Sequence, residues 1–337
     1  MGHLKKIVSS FVIVAMMFFL LACTPQTSTQ STQIELTDQA KRLVTLEQPA
    51  QKIVSCYYIT TYATLSLGIG DRLVGIEKKA NTRPIYKMTN EKLLDLKQVG
   101  SLKELNIEAI AALKPDLVLM PMKLKDKAQT ITDLGIQVMV VNPETHEQLV
   151  EMITLIGKAC GVEKRAKQLT DYYQTQIEKM SKANSTPQKT IYMSGNSSYL
   201  ETAPATMYQN TLIETAGGIN AAKELEGNYW TKVSYETLLK MNPDMIIIPP
   251  NASYSVEDLY ADSQLKSLQA VQKKNVYQMP KGIEEWDSPI PSGILGTMWL
   301  HSLLHTDTYS FETFVEDVQD FYKTFYGFHI DKSLITK

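Results

Sequence analysis

The chain has 337 residues, and 44% of its side chains are hydrophobic, which is enough to bury two cores of ordinary size. Its formal net charge at pH 7 is only −2, and it contains no run of basic residues. This charge balance excludes nucleic acid as an expected partner.

The amino-terminal residues are typical of an export signal. Lys5 and Lys6 form a short positive region, and an apolar run from Ile7 to Leu21 follows it. This run is too short for a comfortable membrane span, which takes about 20 residues. We therefore interpret residues 1–22 as a signal peptide and leave them out of the fold prediction.

The apolar run ends at Leu20-Leu21-Ala22-Cys23, which resembles a bacterial lipobox. In precursors of that class the peptide is cut before the cysteine, which is then acylated, for example with palmitate. The alternative is an ordinary signal with an incidental cysteine. Residues 23–33 are polar and low in complexity, as in a flexible tether. We predict a protein attached through Cys23 to the extracytoplasmic face of the cell membrane.

Two cysteines remain after the lipobox, Cys56 and Cys160. Exported proteins can hold disulfides, but the sequence alone does not show whether these two meet. Cys56 lies at the end of a predicted strand, where a buried free thiol is the simpler expectation.

Residues 34–162 alternate between short apolar strands and helices, which indicates a mainly parallel sheet covered by helices on both faces. A hairpin over Ile34–Leu46 precedes the sheet. The predicted strands are Ile53–Ser55, Leu73–Ile76, Leu117–Met120 and Val138–Val141. The predicted helices are Thr60–Leu67, Asn106–Leu113, Ile131–Leu134 and His146–Lys158.

Residues 163–184 predict one long helix. Apolar residues recur there at steps of three or four, as they do on one face of an amphipathic helix. The stripe consists of Ala166, Leu169, Tyr173, Ile177 and Met180. At about 1.5 Å per residue the helix is roughly 30 Å long, the width of a small domain. We predict that it is a rigid connection between two lobes.

Residues 185–337 repeat the plan of the first lobe. The predicted strands are Thr190–Met193, Met245–Ile248 and Val276–Met279. The predicted helices are Met207–Ala216, a helix that includes Ser263–Leu268, and one or more helices from about Ser292 to Tyr326. The predicted fold class is therefore α/β, with two lobes that each contain a mainly parallel sheet flanked by helices.

An internal repeat supports this two-lobed plan. Residues Asn106–Pro121 and Ser234–Pro250 align, with a glutamate at the third position and Pro-Asp before a buried strand. Because the copies are far apart, they indicate paired domains and not a solenoid. The alternative is that helix, Pro-Asp and strand form a common junction.

With these features the chain resembles the helix-hinged (class III) substrate-binding proteins of ABC importers, which bind ferric siderophores, haem or cobalamin. The likeness covers about Ile34 to Phe328. It extends to Gln48–Ser55, Ile69–Ile76, Val99–Ile110 and Leu212–Ala222, while Trp286–His305 and Phe321–Phe328 resemble an iron-complex subgroup. That subgroup is also similar to a molybdate- and tungstate-binding member.

The resemblance implies a transport function without catalysis. The expected cargo is an iron-siderophore or similar metal chelate, with haem, cobalamin and molybdate or tungstate as alternatives. The expected partners are an ABC permease and its ATPase, and a monomer is expected. No cofactor or resident metal is implied; His301 and His305 lie at i, i+4 but lack the glutamate of a zinc-protease helix. An exported enzyme is the alternative from another class.

Candidate ligand residues follow the strands, because open α/β sheets bind ligands beyond the carboxyl ends of their strands. Aromatic side chains offer flat contact area, and an arginine neutralises an anion. The candidates are Tyr57, Tyr58, Arg83, Tyr199, Tyr208, Tyr229, Trp230, Trp286 and Asp287, with Met122 and Lys123 as weaker ones. The alternatives are core packing for the aromatic residues, solvent exposure for Arg83 and Lys123, and an N-cap for Asp287.

Glu108 and Glu236 occupy matching places in the repeat. In the family that the chain resembles, one acidic residue on each lobe docks against arginines of the permease. The resemblance thus implies docking by these two residues. The alternative is an exposed glutamate that is stabilised by the dipole at a helix N-terminus.

Overall fold

The computed structural model describes residues 33–183 and 188–337. The predicted signal peptide, Cys23 and all of the predicted tether except Gln33 lie outside the described residues, as does Asn184 at the end of the predicted connecting helix. Within the described part, no helix combines the length and the apolar character that a membrane span requires.

The first lobe contains a five-stranded parallel sheet with the strand order β5-β4-β3-β6-β7. A hairpin, β1 with β2, precedes it and pairs in antiparallel register around Lys41, whose φ of 63° makes the turn. The strands are β1 Ile34–Thr37, β2 Leu43–Leu46, β3 Ile53–Ser55, β4 Leu73–Ile76, β5 Lys97–Gln98, β6 Leu117–Pro121 and β7 Gln137–Val141. The helices are α1 Tyr58–Ser66, α2 Pro84–Thr89, α3 Ile107–Leu113, α4 Ala128–Thr132 and α5 His146–Ala159.

The second lobe contains a four-stranded parallel sheet with the strand order β10-β8-β12-β13, and a short antiparallel pair, β9 with β11. The strands are β8 Thr190–Met193, β9 Glu201–Thr202, β10 Ile219–Asn220, β11 Thr231–Lys232, β12 Met245–Ile248 and β13 Val276–Gln278. The helices are α7 Tyr208–Thr215, α8 Tyr235–Met241, α9 Val256–Ala261, α10 Gln269–Gln272, α11 Gly293–Leu304 and α12 Phe311–Tyr326. The predicted α/β fold class with two lobes is confirmed.

Strands β6 and β12 are apolar throughout because both faces of each sheet are buried. In β6, Leu117 and Leu119 belong to the large core that continues into the second lobe, whereas Val118 and Met120 belong to a separate core on the other face. This alternation follows from the two-residue repeat of a strand. Strand β12 divides its side chains between two cores in the same way.

The long helix, α6 Glu163–Ala183, packs against α5 of the first lobe and against α7 and α11 of the second. Its predicted apolar stripe faces this core, and Tyr173 is fully buried. The Tyr173 hydroxyl donates to the carbonyl oxygen of Ile290 at 3.0 Å and accepts from the amide of Ile294 at 3.1 Å. The helix is thereby fixed to the second lobe by a satisfied polar contact as well as by apolar packing.

The internal repeat has a structural cause. Asp116 Oδ2 accepts from the amides of Gln51 and Lys52 just before β3, each at 2.8 Å. Asp244 Oδ2 accepts in the same way from the amide of Thr190 at the start of β8, also at 2.8 Å. Each Pro-Asp therefore satisfies backbone donors at the start of the neighbouring strand, where ladder partners are missing.

Several local predictions need correction. The predicted helix over Ser263–Leu268 is only a 3-10 turn at Ser263–Leu265, because Asp262 caps it and Leu268 already has extended backbone. The helix expected at Ile131–Leu134 lies earlier, in α4. The sequence left open whether Cys56 and Cys160 form a disulfide. In the structure both are free and buried.

Candidate ligand-binding cleft

A cavity of about 520 Å³ lies between the two lobes. The first lobe contributes residues that follow β3, β6 and β7, and the second lobe contributes residues that follow β8 and residues at the start of α7. The cavity is therefore at the carboxyl ends of the parallel strands of the first lobe, as the sequence predicted for the binding site. Its volume falls within the range of pockets that hold small molecules.

Two tyrosines form much of the first-lobe wall. Tyr57 precedes α1 and Tyr58 begins it, and their rings meet edge to face with centroids 4.9 Å apart. Both side chains are half-buried, so each keeps part of its surface for the cavity. The Tyr58 hydroxyl donates to Ser288 Oγ of the second lobe at 3.3 Å, which brings the two walls into direct contact.

Tyr229 and Trp230 form the rim on the second lobe. Tyr229 is 68% exposed, an unusual value for a large aromatic side chain. Lys123 of the first lobe lies opposite, with its Nζ 5.5 Å from the centroid of the Tyr229 ring. This cation–π contact crosses the mouth of the cavity.

Tyr208 lines the cavity but is almost wholly buried. Its hydroxyl lies 3.4 Å from Nδ1 of His146, which begins α5 in the other lobe, and His146 Nε2 lies 3.3 Å from Thr297 Oγ1. Burial lowers the pKa of His146 to about 4, so this imidazole is neutral at ordinary pH. The contact is thus a neutral polar junction beneath the cleft.

Arg83 does not line the cavity. It lies behind Tyr58, with its guanidinium carbon 4.2 Å from the centroid of that ring. It forms an ion pair with Glu285 of the second lobe, and its Nε lies 3.6 Å from Glu77. Arg83 was expected to contact the ligand, but its position indicates that it joins the lobes instead. Its positive charge is already balanced by the two acidic side chains.

Two other candidates also lie away from the cavity. Trp286 is fully buried, packs edge to face on Phe314 and donates its indole N–H to Tyr322 at 3.0 Å. Tyr199 donates its hydroxyl to Asp262 at 2.8 Å, on the outer side of the second sheet. We remove both from the set of proposed ligand contacts, because their polar groups are satisfied within the protein.

Asp287 lines the cavity, together with two residues that the sequence did not single out, Gln209 and Asn196. Asp287 is 4% exposed, and burial together with the charge of Glu285 raises its pKa to about 7. Gln209 lies in the first turn of α7, and Asn196 follows β8. Asn196 lies in Ser194–Tyr199, the segment that follows a predicted strand and was expected at the cleft, whereas Gln209 lies within a predicted helix and had no such signal.

Glu108 and Glu236 lie at equivalent places in α3 and α8. Each is exposed in the first turn of its helix, and each helix begins with a side-chain cap, Asn106 or Ser234. The structure thus places Glu108 and Glu236 at matching exposed positions, one on each lobe. Their exposure is compatible both with docking and with simple stabilisation of the helix terminus.

The sequence profile of the family described as periplasmic binding protein matches residues 53–282. This chain belongs to the periplasmic binding protein family. The family consists of non-enzymatic substrate-binding components of ABC transporters, which removes the alternative of an exported enzyme. As a member, this binding protein acts outside the cytoplasm with a permease and an ATPase.

Relatives agree with this assignment. The uncharacterized ABC transporter substrate-binding lipoprotein YvrC of Bacillus subtilis is 28% identical, over 64% of this chain and 68% of YvrC. The molybdate-binding protein MolA of Haemophilus influenzae is 25% identical, over 86% of this chain and 90% of MolA. The fold is similar to the crystal structure of a periplasmic solute-binding protein from Veillonella parvula, with a TM-score of 0.77. The two sequences are 26% identical, and the match covers 89% of this chain and 94% of that one.

Glu284, beside the cleft residues, gives a pH-dependent prediction. It is buried and accepts from the hydroxyls of Tyr322 at 2.5 Å and Tyr326 at 3.0 Å, yet burial raises its pKa from 4.5 to about 7. Because the pKa of Glu284 is higher in the folded state, its protonated form stabilises the folded protein. This contribution to the free energy of unfolding is complete below the unfolded-state pKa and is lost as the pH rises through 7. Glu284→Gln should therefore gain about 3 kcal/mol in unfolding free energy relative to the wild type between pH 4.5 and 8.

Chemical denaturation at both pH values measures this difference. The control is Glu316→Gln, on the same helix as Tyr322, because the Glu316 side chain is 68% exposed. Its difference from the wild type should change little with pH. An equal effect of Glu284→Gln at both pH values would contradict the assignment of a buried, titrating carboxyl group.

Proposed function

We propose that this binding protein captures a metal chelate, with an iron-siderophore or similar complex as first choice, and delivers it to its permease. The observation that supports this is the open cavity of about 520 Å³ with Tyr57, Tyr58, Tyr229 and Trp230 on its walls. Flat aromatic side chains match the organic shell of a chelate and lose little entropy on binding. Both walls come from one chain, so a monomer suffices.

Molybdate is the second candidate, supported by the similarity to MolA over most of the chain. Against it, the described residues that line the cavity include one cationic side chain, Lys123, and the carboxyl groups of Glu144 and Asp287. A small dianion favours positive charge around it, and on this lining the acidic side chains outnumber the cationic one. Haem and cobalamin remain alternatives with larger apolar surfaces.

A ligand panel tests the proposed cargo. Purified residues 34–337 should gain thermal stability from at least one ferric chelate, with haem, cobalamin and molybdate tested in parallel. At a hundredfold excess over the dissociation constant, binding adds about 2.7 kcal/mol to the unfolding free energy. Tyr229→Ala should weaken binding about fivefold, or about 1 kcal/mol, because it removes an exposed aromatic contact.

The matched control is Leu43→Ala, which removes a similarly exposed apolar side chain, 66% accessible, from the first hairpin. It should leave the ligand affinity unchanged. A shift with molybdate and with none of the chelates would replace the first choice by the second. No shift with any compound would reject the whole set of cargoes.

We propose further that Glu108 and Glu236 dock this protein onto its permease. Their matching, exposed positions on the two lobes support this role. Separated surface charges set the orientation and the rate of encounter more than they set affinity.

The docking proposal predicts a separation of uptake from binding. The double variant Glu108→Ala, Glu236→Ala should reduce uptake of the cargo in cells roughly tenfold, since each exposed ion pair contributes up to about 1 kcal/mol. Ligand affinity in solution should stay within about twofold of the wild type, because neither residue lines the cavity. The control double variant, Glu91→Ala with Glu316→Ala, removes exposed carboxylates outside the repeat and should preserve uptake. A loss of ligand affinity in the first double variant would contradict the assignment of Glu108 and Glu236 to docking.

We also propose that residues 1–22 are removed, that Cys23 carries the lipid and that residues 23–33 form the tether. The lipobox-like sequence supports this, and so does the position of Cys23 in the sequence before the unit of residues 34–337. Cys23→Ser should abolish labelling by an alkyne-tagged palmitate and move the protein from the membrane fraction to the soluble fraction. Cys160→Ala, which removes a buried thiol, should keep both properties. Labelling that persists in Cys23→Ser would disprove the anchor.

A further inference from the structure

The second-lobe wall of the cleft carries hydrogen-bond acceptors that have no protein donor among the described residues. Gln209 is 5% exposed and lines the cavity, and its Nε2 donates to the carbonyl oxygen of Asp287 at 2.9 Å. A carbonyl oxygen can only accept, so this bond fixes which end of the amide faces it. Gln209 Oε1 is buried and unpaired, and so is Asn196 Oδ1 on the same wall.

Unpaired buried oxygens are rare in folded proteins, because they lose their hydrogen bonds to water without replacement. Two of them beside one cavity point to a ligand that supplies the missing donors. Asp287, which also lines the cavity, adds a carboxyl group, and a carboxyl group can accept further hydrogen bonds beside the one it shares with Gln209.

The charge around this wall has one sign. Asp287 lies close enough to Glu285 for that carboxylate to raise its pKa, and Glu144 contributes a carboxylate from the opposite lobe. Among the described lining residues, the one cationic side chain, Lys123, lies near Tyr229 at the mouth. A positive group placed at the wall would stabilise the ionised form of Asp287, which burial otherwise disfavours.

We propose that Gln209, Asn196 and Asp287 form an acceptor subsite for a cationic hydrogen-bond donor, such as a primary ammonium group, carried by the chelate. This inference rests on the proposed function, since it assumes that the cleft takes a chelate. An ammonium group has three donors and no acceptor, so it complements three acceptors. A dianionic oxyanion has no donor to offer here.

A pair of probes tests the subsite directly. One is a ferric trihydroxamate that ends in a free primary ammonium group, and the other is the same chelate with that amine acetylated. By calorimetric titration at pH 8 the wild type should bind the ammonium form at least tenfold more tightly. Gln209→Met should reduce this preference to less than threefold.

The matched control is Gln319→Met. Gln319 is also 5% exposed, and its Nε2 donates to the carbonyl oxygen of Ile330 at 2.9 Å, away from the cleft. This variant should keep the full preference. Asp287→Asn is the second test, because it keeps the shape and removes the charge; it should also lower the preference, even if Gln209→Met fails to fold.

Equal affinity for the two probes would overturn the inference, and so would a full preference in both Gln209→Met and Asp287→Asn. Failure of both probes to bind would overturn it as well. In that case binding of haem, cobalamin or molybdate would show that solute capture stands while the subsite fails. If the wild type binds none of these compounds, the proposed cargo fails together with the subsite.

Discussion

A partly buried guanidinium joins the two lobes of this protein. Arg83 of the first lobe lies between Glu77 of its own lobe and Glu285 of the second, and its side chain and that of Glu285 are 15% and 18% exposed. Removing these charges from water is costly, so such a pair persists only with further hydrogen bonds. The Tyr62 hydroxyl supplies one to Glu285 at 2.6 Å, and the Tyr86 hydroxyl supplies one to Glu77 at 2.7 Å.

This ionic junction works together with the neutral one at His146 and with the long helix α6. The three connections lie on different elements, and Tyr173 of α6 approaches the His146 ring with a centroid distance of 5.9 Å. Because hydrogen-bonded ion pairs are directional and apolar packing is dense, lobes held in this way resist large rotations. We expect ligand capture to proceed by small movements of the cleft walls, such as those of Tyr58 and Ser288, which already touch.

The sequence predicted the strands and helices whose formation follows from the pattern of nearby residues. Apolar runs such as Met245–Ile248 are readable because both faces of the strand are buried, and the stripe of α6 is readable because its period is helical. The sequence showed the duplicated Pro-Asp but not the hydrogen bonds that its aspartates accept. The amides that donate to Asp116 and Asp244 lie about 54 to 65 residues away in the sequence. Tertiary pairing of this kind leaves no pattern in the sequence.

The candidate site could be predicted only in part, because several of its residues are positioned by partners that are distant in the sequence. Tyr57 and Tyr58 follow a strand directly, so strand geometry alone places them at the cleft. Trp286 and Asp287 are adjacent in sequence, but the indole packs on α12 and is buried, whereas Asp287 is one of the residues that line the cavity. Arg83 shows the converse, because the partner that occupies its charge is 202 residues away.

The specificity of the cleft therefore depends on loops more than on the sheets. The strands and α6 fix where the cavity lies, and a shared fold leaves the cargo undetermined. The residues that give the cavity its charge follow strands or begin helices, where substitutions leave the core intact. In this chain such residues place aromatic rings and a carboxyl group on each lobe, and the unpaired acceptors of Gln209 and Asn196 on the second. The proposed cargo, a chelate with a flat shell and a hydrogen-bond donor, matches both features, and it is a narrower class than family membership defines.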